Sequence, residues 1–158
     1  MHVQHHHLLA RVELKRCPSV RQQAAMRRLI DELLRDVEMH KLGPLEHYDV
    51  RSRDPERRGQ SWLVPIQTSH LALHFWSHPN ARIMHAAPLS GRCLLQFDLY
   101  TCNRLTRHEL RRVLELLGEF QPTHASVTLI NRLRGLHIDR HDEWRRSACA
   151  WADFAAGY

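Results

Sequence analysis

An α+β fold is predicted by this sequence: a two-layer sandwich in which a mainly antiparallel sheet carries two helices packed on one face. Three observations predict it. Two stretches place apolar residues at helical spacing, near 19–42 and 106–118. Shorter stretches of strand character lie before, between and after them. The resulting order of strand, helix, strands, helix, strand suits helices gathered on one side of a sheet.

Residues 6–14 alternate weakly and predict the first strand. Pro18-Ser19 opens the first helix with Ser19 as N-cap. Met26, Ile30, Leu33 and Val37 form its apolar stripe, and Gly43-Pro44 ends it. Residues 45–50 predict a short strand on which Tyr48 faces either the core or a site. The charged loop RSRDPERRGQ at 51–60 follows, then strands at 61–67 and 70–76, with Pro65 suited to a sheet edge or bulge. A loop at 77–91 leads to a strand at 93–101. Thr106 and Glu109 form a capping box ahead of a helix that sets Leu110, Val113, Leu114 and Leu117 on one face. Gly118 and Pro122 bound that helix, and a strand at 124–131 follows. Residues 132–158 read as an extra C-terminal extension of the single domain 1–158, with Trp144, Ala148, Trp151 and Ala155 sharing one helical face.

Composition narrows the function. At 158 residues, 43% hydrophobic and 25% charged, the chain has the size and balance of one globular domain. No apolar run reaches the roughly 20 residues of a membrane span, and the start is too charged for a secretory signal. The expectation is a cytoplasmic protein without membrane contact. The net charge of +6 comes from arginines spread along the whole chain, with no nucleic-acid-binding signature, so no nucleic-acid partner is expected. Cys17, Cys93, Cys102 and Cys149 are widely spaced and read as free thiols. His5-His6-His7 suit a strand opening better than a chelating tract, and the pair His137/His141, spaced as on a helix, lacks a glutamate in the metal-binding place, so no metal is expected.

The chemistry gathers in SWLVPIQTSHLALHFW at 61–76 and FDLYTC at 97–102. Ser61 and Ser69 offer hydroxyls, His74 a base that titrates near neutral pH, and Cys102 a soft acid. A serine needs an adjacent base to attack. On a regular strand, however, Ser69 and His74 have opposite parity and face opposite sides. Joining them calls for a kink or bulge near Ser69, or for the chain ends that a cleavage would create.

The spacing of Ser61, then Thr68-Ser69-His70-Leu71 with His74 and Trp76, then Asp98 through Cys102, resembles the bacterial S-adenosylmethionine decarboxylases. His7-Leu8-Leu9-Ala10 and Ser126-Val127-Thr128 extend the likeness to roughly residues 6–135. The resemblance implies a self-processing enzyme. Ser69 would attack the carbonyl of Thr68, the chain would break between them, and a covalent pyruvoyl group derived from Ser69 would cap the downstream piece. By position Ser61 and His74 would assist that cleavage, and Cys102 would return a proton to the substrate carbon. Tyr48, Trp76 and His78 are the substrate-binding candidates. The implied partners are a small amino-acid substrate and a second copy of the chain, paired sheet to sheet with the active site between them. The implied role is supply to spermidine synthesis.

Two positions depart from the family pattern. Thr68 stands where a glutamate precedes the serine, and His78 stands where a glutamate holds the substrate ribose. Decarboxylation of arginine or ornithine therefore stays open, with Asp98 and Glu13 as the carboxylates such substrates would need. So does a relative that neither cleaves nor catalyses.

Overall fold

A computed structural model describes residues 5–67, 69–80, 82, 84, 93–133 and 135–158. It contains a seven-stranded antiparallel sheet: β1 (His6–Leu14), β2 (Glu46–Val50), β3 (Gly59–Ile66), β4 (Ser69–Trp76), β5 (Cys93–Thr101), β6 (Pro122–Asn131) and β7 (His137–Arg145). Their order across the sheet is β2-β3-β4-β5-β1-β6-β7. The helices are α1 (Gln23–Asp36), α2 (Arg107–Leu117) and a short α3 (Trp151–Ala156).

Alternation along the strands decides what each face does. Leu8, Ala10, Val12, Trp62, Val64, Leu71, Leu73, Phe75, Leu95, Phe97, Leu99 and Val127 point one way. They form a single core with Met26, Ile30 and Leu33 of α1 and with Val113, Leu114 and Leu117 of α2. Truncating a large member such as Phe75 to Ala would cost about 3–5 kcal/mol. Thr106 and Glu109 make the expected capping box, which fixes where α2 begins. Arg112 of α2 then reaches Asp36 at the end of α1 at 2.8 Å and holds the two helices side by side.

Close strand pairing requires one glycine here. A Cβ on Gly59 would lie 2.0 Å from the Phe75 carbonyl oxygen, a gap that no side chain fits. Pro65 behaves as expected. The β2 ladder stops at Glu46↔Leu63. Beyond it Pro65 meets a short bridge on that side, its carbonyl accepting from the Leu42 N–H at 2.9 Å, so its missing N–H interrupts no regular ladder.

Three expectations are corrected. First, Cys17 and Cys93 form a disulfide, which Cys102 and Cys149 do not share. The pairing follows from topology: Leu14 is the register partner of Cys93, and the chain past β1 folds back across it. Second, residues 137–145 form β7, not the start of a helix, so His137 and His141 do not share a helical face. Its sequence, HIDRHDEWR, is nearly all polar and carries little periodic signal. Its hydrogen bonds to β6 define it instead.

Third, the 132–158 tail is not one amphipathic helix. Trp144 lies on β7, Trp151 on α3, and Ala148 is exposed in the turn between them. The tryptophans still meet, edge to face at 4.9 Å, and Trp151 Nε1 donates to the Leu114 carbonyl at 2.7 Å. Gly118 makes room for this packing, since a Cβ there would come within 2.6 Å of the Trp151 ring.

Candidate active site

The face of the sheet turned away from α1 and α2 carries the polar residues. Register places them in rows. Tyr48, Ser61, His74, Gln96 and Arg11 stand side by side on β2, β3, β4, β5 and β1. A second row, two steps of alternation away, holds His70, Tyr100 and His7. Asp98 lies between the rows on β5.

Within the first row, Ser61 Oγ and His74 Nδ1 share a hydrogen bond of 2.8 Å, as directly opposed residues of β3 and β4 can. The pair is half-buried, so a proton held there can be exchanged. Trp76 is two residues on, its indole nitrogen donating to Gln96 Oε1 at 3.1 Å. Tyr48 is 53% exposed, which removes it from the core. Its hydroxyl donates to Glu46 on the same strand, and this contact raises the phenol above its ordinary pKa.

Ser69 opens β4 at the far end. Its Oγ accepts a hydrogen bond of 3.1 Å from the backbone N–H of Cys102, just beyond β5. Cys102 is outside the disulfide and half-buried. Thr68 lies outside the described residues, so only the serine side of the expected cleavage site is in view.

The four predicted catalytic residues thus form two pairs, Ser61–His74 and Ser69–Cys102. The pairs do not meet within one chain. The β3–β4 ladder runs without a register shift from Gly59↔Trp76 to Ile66↔Ser69, so among the described residues no bulge turns Ser69 toward His74. At about 3.3 Å per residue, the Cα atoms of Ser69 and His74 are roughly 17 Å apart. His78 is exposed and turned onto its neighbour, with Nδ1 3.0 Å from Ser77 Oγ.

Both candidate carboxylates are already engaged. Asp98 Oδ1 contacts His7 Nε2 at 2.8 Å and His70 Nε2 at 3.2 Å. Burial alone would raise its carboxyl, but the hydrogen bonds and charges of the two histidines outweigh that and hold it below the usual carboxylate range. Glu13 is fully buried and paired with Arg11 at 3.0 Å. The His7–Asp98–His70 cluster was missed by sequence reasoning, which treated Asp98 only as a substrate-binding candidate. Strand parity alone puts Asp98 on the face of Tyr100. Only the order β4-β5-β1 brings His70 and His7 to it.

Residues 6–133 match the S-adenosylmethionine decarboxylase family. The chain belongs to that family. No individually curated protein matches the chain. The family is one of pyruvoyl-dependent decarboxylases, and its activity serves polyamine biosynthesis. The match ends where the β6–β7 connection begins, so β7 and α3 lie beyond it. Among the described residues, no helix is long and apolar enough to cross a membrane.

Proposed function

We propose that this protein is a self-processing decarboxylase of S-adenosylmethionine or a close analogue, assembled as a homodimer with each active site shared between two chains. The observation that carries this reading is the division of the catalytic set. Ser69 and Cys102 form one hydrogen-bonded pair, Ser61 and His74 another, and the distance along β4 keeps them apart. Two copies joined at their exposed sheet faces by a two-fold axis would bring the second pair of one chain to the first pair of the other. A symmetric dimer is the commonest assembly that does this.

Each residue then has a task. The Cys102 N–H steadies negative charge on Ser69 Oγ as that oxygen attacks the Thr68 carbonyl. The peptide bond becomes an ester, and the displaced Ser69 nitrogen takes up a proton. The partner's His74, held in place by Ser61, takes the serine proton and later removes the Ser69 α-proton that opens the ester. Release of the Thr68 carboxylate and loss of ammonia to water leave a pyruvoyl group at the new chain start. When present, that group supplies an electron sink for loss of carbon dioxide. The Cys102 thiol delivers the proton that completes decarboxylation.

Ser69 fits the precursor role: it sits at a strand start with its hydroxyl held by a backbone donor. The engaged state of Asp98 and Glu13 weighs against arginine or ornithine, whose basic groups would need an available carboxylate. The experiment is the intact mass of the purified protein beside that of Ser69→Ala. Wild type is expected to separate under denaturing conditions into fragments 1–68 and 69–158, the latter reactive toward a carbonyl reagent, and Ser69→Ala to stay whole. A wild-type chain that keeps its full mass after long incubation would overturn the reading.

A further inference from the structure

Two imidazole nitrogens and one carboxylate oxygen converge on the exposed face of the sheet from three neighbouring strands. His7 comes from β1, His70 from β4 and Asp98 from β5, and their donor atoms lie within 4.8 Å of one another. We propose that His7 Nε2, His70 Nε2 and Asp98 Oδ1 form a three-ligand site for a divalent transition-metal ion of the zinc type.

The spacing suits it. Ligands about 2.0–2.1 Å from a tetrahedral ion stand roughly 3.3 Å from one another. The two histidine–carboxylate separations are 2.8 and 3.2 Å, near that value, and the imidazole nitrogens, within 4.8 Å of each other, would close on the ion by side-chain rotation. The donor set selects the ion. Two imidazoles and one carboxylate favour Zn²⁺, Co²⁺ or Ni²⁺ over the oxygen-seeking Mg²⁺ and Ca²⁺.

The site is also held in shape before any ion arrives. The Tyr100 ring lies 5.5 Å from the His7 ring and 5.9 Å from that of His70. Tyr100 is itself fixed by a 2.9 Å hydrogen bond between its hydroxyl and His5 Nδ1, and by the Arg132 guanidinium 5.0 Å above its ring. The side chains of His7, His70 and Asp98 are 16%, 43% and 33% exposed in the single chain, so its own fold leaves them open to an ion before two sheets pair. Three protein ligands leave a fourth position for water or a small ligand, as in catalytic rather than purely structural zinc sites.

The competing arrangement has both histidines donating Nε2–H to one carboxylate oxygen. The two differ in where the ring protons sit. With an ion, Nε2 is the ligand and the remaining proton is on Nδ1.

The test uses full-length Ser69→Ala protein, whose chain stays whole, stripped with chelator and titrated with ZnCl₂, and with MgCl₂ as control. One Zn²⁺ per chain is expected at this site, with no comparable Mg²⁺ binding. His70→Gln and Asp98→Asn should each weaken it by at least tenfold, since loss of even an outer-shell partner costs about 10–100-fold. His137→Gln should leave it unchanged. Because folding could mask the variants, long-range ¹H–¹⁵N spectra of the unsubstituted site provide a second readout. Zn²⁺ should move the His7 and His70 protons to Nδ1. Undiminished binding in folded His70→Gln and Asp98→Asn would assign the ion to the N-terminal histidines and overturn the proposal. So would unchanged His7 and His70 tautomers with zinc bound. Both outcomes are independent of whether Ser69 is processed.

Discussion

In the proposed mechanism Cys102 serves Ser69 through its backbone and the substrate through its side chain, and substitution can separate the two. Cys102→Ala keeps the N–H that holds Ser69 Oγ. Cleavage should therefore survive, while carbon dioxide release should fall about 100- to 10,000-fold, the usual loss when a positioned acid is removed. Equal turnover in the cleaved variant and wild type would return the thiol to a packing role. At this scale the sequence was most informative where partners lie close along the chain. Ser61 and His74 sit on consecutive strands, and a short connection makes them opposite residues. His7 and Asp98 are 91 residues apart. Nothing in the local pattern joins them, because β5 and β1 become neighbours only when the chain crosses the sheet. His78 was read as a substrate contact from its place after Trp76, yet its exposed side chain engages only a neighbouring serine among the described residues.

The C-terminal elements are held by a compact polar clamp. Tyr158 Oη donates to Asp142 at 2.7 Å, Arg140 also reaches Asp142, and the Arg140 guanidinium lies 3.6 Å over the Tyr158 ring. Burial pushes the Asp142 carboxyl up, but hydrogen bonds from Tyr158 and Arg140, with the Arg140 charge, bring it below its ordinary value. A carboxyl depressed in the folded state stabilises it above the unfolded pKa of about 3.9, and that stabilisation is lost as pH falls through the lower folded value. Trp144 and Trp151 fluorescence should therefore report loosening of α3 below about pH 4. Asp142→Asn should loosen it at neutral pH and flatten the acid response. An unchanged acid profile in that variant would remove the clamp from the account. The sequence indicated that these aromatic residues pack together, but assigned them to one helix because polar β7 has no apolar alternation to announce it. The disulfide was hidden for a related reason: 76 residues separate Cys17 from Cys93. Thiol titration of the denatured, unreduced chain should find two reactive groups. Cys17→Ser should lose about 4 kcal/mol of stability, the loop-closure value for a ring of that size. Four reactive thiols would contradict the pairing.

The proposed catalyst needs two chains at the scale of the sheet. Its inner face is covered by α1 and α2, and both helices and all strands but β7 were legible because their apolar residues recur at the right spacing. Its outer face carries Ser61 and His74, while Ser69 at the end of β4 shares the parity of Leu71 and Leu73, the conflict that a bulge would have resolved. The ladder is regular, so within one chain the two pairs stay apart; a second chain would supply the missing pair, and the break before Ser69 would free it to turn toward that partner. The central claim is that each site draws Ser69 and Cys102 from one chain and Ser61 and His74 from its partner. The most direct test mixes two inactive chains by co-expression, Ser69→Ala with His74→Ala, and follows cleavage by intact mass. Each alone should stay whole. Together, the His74→Ala chain should be cleaved before Ser69 with the partner's histidine assisting, while the Ser69→Ala chain remains intact. Co-purified mixed dimers in which neither chain is cleaved, beside a wild type that is, would contradict the shared site.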